Sequence, residues 1–442
     1  MTGRVDCCRI FFLFLCVFVT WCPCAVARPT CASDWTACRE EIIKAVFGTS
    51  SLPSRPPDSI EVMHDYRMSG LPSPGNGSGI GNVSWANNLT KLVWTMESKF
   101  LTLNTTIFHT LSTTYRAPAN YPPPPYPQNN SYGPGQPSET NTPFGIHPIS
   151  PKSIGDTLLL YHNGHETKAC VQNYDGVVDY FNRIGYDVME LMLPLYGCNQ
   201  AFQYGNPFNH WWFEKYEKKG DHTLRYFIEP VALAVSYAKS LGYKNIIMVG
   251  LSGGGWTTTL ASAIIPDIKL SIPIAGSIPK WPTEYYDKWV PDLPEGRNQA
   301  AKAGNPFEPP PPVGGGGDFE QMQARPTYHV LNGIGYVELY ILAALEKSRY
   351  QLQILHEYDS CCFRASGLIS NIADYNAFIQ QHSGIEGWMQ TAVTRGNWHE
   401  VNLRDKVIIS VIVEKFRASN GELHSDDFKD LPFDILNYGS SR

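Results

Sequence analysis

A serine among closely spaced glycines is the feature of this 442-residue sequence that most directly suggests chemistry. Segment 245–256 reads NIIMVGLSGGGW, so an apolar run ends in GLSGG and a helical run follows. A G-x-S-x-G sequence between a strand and a helix places the serine in a sharp, strained turn, where glycines let neighbouring backbones approach. The positive end of the helix dipole then faces the reacting oxygen. We interpret Ser252 as a nucleophile, with a plain glycine turn as the alternative.

The elements that must position this serine alternate along the chain. Apolar segments of strand length are separated by helical stretches, a pattern typical of a mainly parallel sheet covered by helices on both faces. The predicted strands are 89–95, 105–114, 157–161, 187–193, 245–249, 269–274, 351–355 and 387–393, and the main predicted helices are 223–241 and 405–416. The proline-rich stretch 117–150 is predicted to be a long loop within one domain.

This arrangement resembles the α/β-hydrolase superfamily over roughly residues 60 to 420, without pointing to a subfamily. The resemblance implies an α/β fold with a mainly parallel central sheet, and a nucleophile, a carboxylate and a histidine in that chain order. We divide the chain into a signal peptide (1–27), an N-terminal segment (28–59), a hydrolase domain (60–420) and a C-terminal tail (421–442).

We expect an acid and a base at positions that follow the serine in the chain. A serine nucleophile needs a histidine to take its proton, and the histidine needs a carboxylate. Asp359 follows the predicted strand 351–355, at the strand end where sites of open α/β sheets lie. Glu357 is the rival carboxylate, and a turn-initiating role is the alternative for Asp359. Only His399 directly follows the predicted last strand, as the resemblance requires. The other histidines from the end of strand 351–355 onward are His356, His382 and His424.

Two backbone N–H groups are expected to bind the oxyanion that forms during acyl transfer. The resemblance implies that one belongs to Gly253 and the other to the loop after strand 157–161. That loop reads HNGH, which is similar to the family's His-Gly motif with Asn163 inserted. Gly164 and His165 therefore remain alternative donors, and a turn glycine flanked by two loop histidines is the alternative without a function.

No metal or cofactor is expected. His162, His165 and Glu166 lie close together in sequence, but the spacing supplies no further ligand. Acyl transfer by a serine, a histidine and a carboxylate requires no bound cofactor.

A long insertion is predicted between strands 269–274 and 351–355. The stretch 277–350 is far longer than an ordinary connection and contains a proline and glycine run at 305–317. The resembled fold often carries a cap over its site at this place. The aromatic side chains of the insertion line a substrate pocket or simply pack the insertion onto the core, and the sequence favours neither.

The composition excludes some classes of protein. Hydrophobic residues make up 43% of the chain and charged residues 17%, so it can bury a large core. Its 35 Lys and Arg residues against 41 Asp and Glu residues give a formal charge of -6, without a block of like charges. This argues against a protein that binds nucleic acid through phosphates.

The beginning of the chain predicts export. Arg4 and Arg9 precede the apolar run 10–22, and Ala-Val-Ala at 25–27 supplies a cleavage site for a signal peptide. The run is shorter than the ~18 to 20 residues of a membrane-spanning helix, so an uncleaved anchor is the lesser alternative. No later stretch is long and apolar enough to span a membrane. We therefore expect a secreted, extracellular protein.

Cysteines and glycosylation sequons agree with export. The cysteines after the signal match no zinc pattern, so disulfides are expected. They are Cys31, Cys38, Cys170, Cys198, Cys361 and Cys362. Cys31 and Cys38 are the easiest local pair, and pairing of the adjacent Cys361 and Cys362 with Cys170 and Cys198 is a hypothesis. The N-x-Ser/Thr sequons are Asn76, Asn82, Asn88, Asn104 and Asn129.

Two classes of function follow. The first is a secreted serine hydrolase that cleaves an ester in a small or acylated substrate, with amides and thioesters as less favoured bonds. The second is a noncatalytic binding or adhesion ectodomain on a hydrolase scaffold, because a fold alone does not fix function. The presence of Ser252, Asp359 and His399 in the required order favours the enzyme. A serine peptidase of the same fold is a third option. The sequence predicts neither the substrate nor the oligomeric state.

Overall fold

The computed structural model describes the elements of a central sheet and its flanking helices. The described residues are 31, 34–68, 84–116, 155–165, 176–199, 202–203, 206–207, 210–277, 331, 334–359, 363, 365, 372–380, 385–396, 399–429 and 431. The predicted signal peptide, the proline-rich loop 117–150 and most of the predicted insertion lie outside these residues.

Strands and helices alternate through most of the chain. The strands are β1 (Ser59–Met68), β2 (Ser84–Glu97), β3 (Thr102–Thr110), β4 (Tyr115–Arg116), β5 (Thr157–His162), β6 (Asp187–Leu191), β7 (Phe202–Gln203), β8 (Asn206–Pro207), β9 (Asn245–Leu251), β10 (Ile268–Ile274), β11 (Tyr350–His356) and β12 (Trp388–Thr394). The helices are α1 (Trp35–Phe47), α2 (Val177–Arg183), α3 (Trp211–Glu217), α4 (Arg225–Ser240), α5 (Gly253–Ile264), α6 (Tyr336–Ala343), α7 (Ile372–Gln380), α8 (Leu403–Ala418) and α9 (Ser425–Lys429). Each strand and main helix predicted from the sequence overlaps one of these elements.

One large sheet organises the described part of the chain. Its strand order is β1-β2-β3-β6-β5-β9-β10-β11-β12, with the short β4 beside β2. Pairs are antiparallel from β1 to β6 and parallel from β6 to β12. The carboxyl ends of the parallel strands therefore meet along one edge of the sheet, which we call the carboxyl edge, and their first residues along the opposite amino edge.

Helices cover both faces of this sheet, which confirms the predicted architecture. Successive strand side chains point to opposite faces, and in β5 Leu158 and Leu160 pack in one apolar cluster while Leu159 and Tyr161 pack in another. The first cluster includes buried residues of α1, α4, α5 and α6, and the second includes those of α2 and α8. The parallel strands are buried on both sides, as their continuous apolar sequences require.

Helix α1 ties the start of the described chain to this core. Asp34 caps the helix by accepting a hydrogen bond from the backbone N–H of Ala37 at 3.0 Å, and Cys31 forms a disulfide with Cys38. The Arg39 guanidinium donates to the carbonyl oxygen of Ala263 in α5 at 2.9 Å and pairs with Glu346 after α6. The segment before residue 60 is thus packed on the same core as the later helices.

Candidate active site

Ser252 lies at the turn from β9 to α5 in a strained backbone conformation. Its φ is 55° and its ψ is -121°, a region that residues with a side chain rarely adopt. The backbone N–H of Ser252 donates to the carbonyl of Ile274 at the end of β10, and its carbonyl accepts from the N–H of Trp256, both at 2.9 Å. Bonds to the neighbouring strand and to the first turn of the helix therefore hold the serine in this conformation.

The glycines around Ser252 allow close backbone packing. A methyl group added at Gly250 would overlap the carbonyl oxygen of Gly254, in the first turn of the helix. A methyl group at Gly254 would overlap the carbonyl oxygen of His162 at the end of β5. The helix can therefore approach both its own strand and the neighbouring loop only because these positions lack side chains. This is the physical reason for the glycines of the motif.

Asp359 and His399 meet at the carboxyl edge. Asp359 follows β11, His399 follows β12, and the two strands are parallel neighbours. The Nδ1 atom of His399 lies 2.8 Å from Oδ2 of Asp359. Both side chains are almost completely buried, and the ring of Phe363 stacks on the His399 ring with 6.1 Å between centroids. The carboxylate thus accepts a hydrogen bond from the imidazole and fixes its orientation.

Glu357, the rival carboxylate, makes a different contact. Its Oε2 atom lies 4.0 Å from Nε of Arg395, and its backbone N–H donates to the carbonyl of Thr394 at 2.8 Å. Of the two carboxylates that the sequence offered, Asp359 is the one that the structure joins to His399.

The loop after β5 lies directly against the serine turn. Asn163 is anchored in the sheet, because its backbone N–H donates to the carbonyl of Leu191 at 3.0 Å and its Nδ2 donates to Oε1 of Glu190 at 2.8 Å. The loop then passes through Gly164 to His165, whose ring atom Cε1 would lie 2.6 Å from a methyl group at Gly253. The predicted oxyanion residues are therefore neighbours in space, and the choice between Gly164 and His165 stays open.

His165 of this loop pairs with His210, a contact that the sequence did not predict. His210 lies just before α3, with Nε2 2.8 Å from the carbonyl of Pro194 and Nδ1 3.2 Å from Nε2 of His165. Because a carbonyl only accepts, the Nε2–H of His210 donates to it, and a neutral His210 accepts from His165 through Nδ1. Tyr196 packs edge-on against both rings with centroids 5.0 Å apart. No local pattern around His210 could have indicated this contact across 45 residues.

The remaining histidines occupy other positions. His356 is buried at the end of β11 with Nε2 2.9 Å from Oδ2 of Asp405. His424 is exposed near the start of α9, where its backbone N–H donates to Asp427 at 2.8 Å. His382 lies outside the described residues.

The predicted modification sites are only partly described. Besides the disulfide of Cys31, Cys198 is also disulfide-bonded, and the other three cysteines, Cys170, Cys361 and Cys362, lie outside the described residues. Asn104 is exposed on β3, and Oδ1 of Asn88 on β2 lies 2.7 Å from Nδ1 of His64. The other three sequons and Glu166 also lie outside the described part of the chain.

The strand order and the position of the three side chains decide the fold. The serine follows β9, the carboxylate follows β11 and the histidine follows β12, each at the carboxyl edge of a sheet that is antiparallel at its beginning and parallel afterwards. The chain has the α/β-hydrolase fold. In this fold the nucleophile lies on a strained strand-to-helix turn and precedes the acid and the histidine, and Ser252, Asp359 and His399 follow one another in that order.

Comparisons with known proteins find distantly similar solved structures. No family model and no curated protein sequence matches the chain. It is similar to the solved structure of an acetyl xylan esterase from Paenibacillus sp. R4, with 11% identity, coverage of 90% of this chain and 96% of that chain, and a TM-score of 0.43. Est1E from Butyrivibrio proteoclasticus is 15% identical, with coverage of 74% and 98% and a TM-score of 0.36. The acylaminoacyl peptidase of Pyrococcus horikoshii is 12% identical, with coverage of 79% of this chain and 50% of that chain and a TM-score of 0.41. At such low sequence identity, the substrates of these proteins are not assigned to this chain.

Among the residues that the structure describes, no helix combines the length and the apolar character needed to cross a bilayer.

Proposed function

We propose that this protein is a serine hydrolase that cleaves a carboxylic ester through an acyl-enzyme on Ser252. The observation that carries the proposal is the 2.8 Å contact between Asp359 and His399, at the same sheet edge as the strained serine turn. Nucleophilic acyl transfer requires a serine, an imidazole that takes its proton and a carboxylate that orients the imidazole, and these three groups share one edge of the sheet here.

The hydrogen bond to Asp359 fixes the tautomer of His399. With its proton on Nδ1, the neutral ring carries a lone pair on Nε2, so Nε2 is the atom that takes the proton of the Ser252 hydroxyl. The serine oxygen attacks the ester carbonyl, and the carboxylate of Asp359 stabilises the imidazolium that forms. Nε2 then returns the proton to the leaving alcohol. Water repeats the sequence on the acyl-enzyme and releases the carboxylic acid and the free serine.

The negative charge on the attacked oxygen needs donors that are already in place. The N–H of Gly253 begins α5, where the helix dipole favours negative charge. A second donor comes from the adjacent loop, at Gly164 or His165, which packs against Gly253. One donor of this kind contributes about 10² to 10³ in turnover in other serine hydrolases.

We also propose that the protein is secreted and acts on a small or acylated molecule outside the cell. The disulfide bonds of Cys31 with Cys38 and of Cys198 support this proposal, because disulfides persist in oxidising compartments. The exposed side chain of Asn104 is accessible for N-glycosylation. Mass spectrometry of the mature protein tests both points, and an intact signal segment with reduced cysteines would contradict them.

Labelling with a fluorophosphonate probe tests the proposed reaction. The full-length chain from a eukaryotic secretory host should be labelled at Ser252, and S252A should lose the label and about 10⁶ in turnover on p-nitrophenyl esters. The control is S262A, which removes another buried hydroxyl on α5, hydrogen-bonded to the carbonyl of Thr259 at 3.1 Å, and should keep the label. Labelling of another residue would refute the assignment of Ser252. A wild-type protein that is neither labelled nor active on short and long acyl esters would support the binding ectodomain instead.

A further inference from the structure

A second histidine–carboxylate pair lies behind the first one. His356 and Asp405 are both completely buried, and Nε2 of His356 is 2.9 Å from Oδ2 of Asp405. The proposed mechanism does not use either residue. Because burying a carboxylate and an imidazole costs free energy unless each finds a partner, the surroundings of this pair indicate what it does.

Asp405 holds both ends of the loop that carries His399. At the end of the loop, one Asp405 oxygen accepts from the backbone N–H of Asn402 at 3.0 Å, and the Asn402 side chain accepts from the N–H of Asp405 in return. This capping box starts α8. At the beginning of the loop, the hydroxyl of Thr394 on β12 donates to the other Asp405 oxygen at 3.4 Å. One carboxylate therefore contacts the residues on either side of segment 395–401.

His356 begins the turn that carries Asp359. It is the last residue of β11, and its carbonyl oxygen accepts from the N–H of Ala365 at 2.9 Å, beyond that turn. The histidine loop lies against its ring, because a methyl group at Gly396 would be 3.1 Å from Cγ of His356. The ring thus contacts one loop and its backbone anchors the other.

We propose that His356 and Asp405 are positioning residues that hold the Asp359 turn and the His399 loop in a fixed relation to each other. This inference rests on the proposed function, since it assigns a role to the pair only if Asp359 and His399 act as acid and base. Neither His356 nor Asp405 touches the substrate in this scheme. Their effect is exerted through the hydrogen bond between the two loops.

The charges around the pair give this role a measurable signature. Burial is the largest single effect and lowers the pKa of His356, whereas the Asp405 carboxylate on α8 and Asp359 raise it. His399 opposes these two carboxylates, and the pKa is raised overall. The raised pKa means that His356 keeps its proton to a higher pH than an exposed histidine does, and a charged imidazole beside a carboxylate forms a pair without net charge. Replacing His356 alone removes a positive charge near His399 and leaves a negative one, so the pKa of His399 should rise. His399 must be neutral to act as a base, and the acid limb of activity should therefore move to higher pH.

The experiment is a set of pH profiles of kcat and KM on a p-nitrophenyl ester for wild type, H356Q, D405N and H356Q/D405N. H356Q should lower kcat about ten- to hundredfold with KM within about twofold, and should raise the acid midpoint by roughly half a unit to one unit. In the double variant an uncharged glutamine and an uncharged asparagine replace a histidine–carboxylate pair without net charge. The midpoint of its acid limb should therefore return to that of wild type. The matched control is H109Q, which alters a buried histidine at the amino edge and should leave kcat and the midpoint unchanged.

Each outcome decides the inference. If H356Q melts at a lower temperature but keeps wild-type kcat and midpoint, the pair is only structural and the inference is wrong. If H356Q does not fold, D405N decides, since kcat within about twofold of wild type at unchanged KM would overturn the inference. The fluorophosphonate probe separates the two proposals: an unlabelled Ser252 in wild type refutes the proposed function and this inference with it. A labelled Ser252 with coinciding profiles refutes the inference alone.

Discussion

The two edges of the sheet each contain a buried histidine near a carboxylate, but they differ in how the two groups meet. At the carboxyl edge, Nδ1 of His399 lies 2.8 Å from Asp359. At the amino edge, His109 is separated from Asp187 by Tyr243, whose hydroxyl donates to Asp187 at 2.7 Å and lies 3.3 Å from Nε2 of His109.

The amino edge uses its polar groups for packing. Asp187, the first residue of β6, also accepts from the backbone N–H of Ser112 at 2.7 Å and from its hydroxyl at 3.0 Å. Burial lowers the pKa of His109 to about 4, although Asp187 partly opposes this, so the ring is neutral at pH 7. Both edges contain the same residue types, so residue type alone does not distinguish them. What distinguishes the carboxyl edge is a direct hydrogen bond between imidazole and carboxylate at the same sheet edge as the strained serine turn.

Removing the charge of each carboxylate gives the largest expected difference between the edges. D359N should lower turnover by about 10⁴ near neutral pH, because the charge that stabilises the His399 cation is lost. D187N should leave kcat unchanged and lower the free energy of unfolding by about 1 to 3 kcal/mol, since it weakens a buried hydrogen-bond network. Ester turnover and chemical denaturation measure the two effects.

E357Q completes this test as a control at the carboxyl edge. Glu357 faces Arg395 rather than His399, so this variant should stay within about tenfold of wild-type turnover. If E357Q is inactive and D359N is active, Glu357 is the acid. If neither variant loses activity while S252A does, the carboxylate comes from another strand end.

The close packing at the carboxyl edge predicts the next largest effect. G254A forces a methyl group onto the carbonyl of His162 and displaces the loop that carries the proposed second oxyanion donor, so kcat should fall by about 10² to 10³. G220A is the control, because Gly220 has a φ of 81° but open space around it. It should cost about 1 kcal/mol of stability and leave kcat unchanged. Equal kcat values for the two variants would show that the loop position does not matter.

The smallest effect concerns the amino edge and is a pH dependence of stability. The pKa of His109 is about 4 in the folded protein, below the value of 6.5 for an exposed histidine. Between these values the unfolded state binds more protons, so this residue lowers the free energy of unfolding as the pH falls from 6.5 towards 4. Compared with H109Q, wild type should lose on the order of 2 to 3 kcal/mol between pH 7 and pH 4. Parallel stability curves in urea at each pH would contradict this.

Local patterns in the sequence predict much of this fold. The strand, turn and helix around Ser252 follow from a continuous apolar run, four glycines at the turn and a helical run, all within twenty residues. Helix α4 also follows from its apolar spacing, although it contains Pro230. Each of these signals is local, because strand and helix periodicity depend on neighbouring residues.

Other elements lack such signals. Strand β1 is the outermost strand at one side of the sheet, and its Ile60 and Val62 are 53% and 47% exposed. Its apolar residues therefore do not indicate a buried face. Helix α6 is buried on nearly all sides and shows no amphipathic period. For this reason the sequence did not predict it as a helix within the long insertion. The positions of His210 and Asp405 depend on contacts between distant segments, which one sequence does not encode as a pattern.

The strained backbone at Ser252 means that the residue that would be most stable at this position is not the residue that the proposed activity needs. Glycine adopts a positive φ without steric cost, whereas a residue with a side chain held there costs about 1 to 3 kcal/mol. A version of this chain optimised only to remain folded would therefore carry glycine at position 252 and would lose the proposed nucleophile. The serine is the less stable choice, and its presence is what a molecule under selection for turnover, rather than for binding alone, would retain.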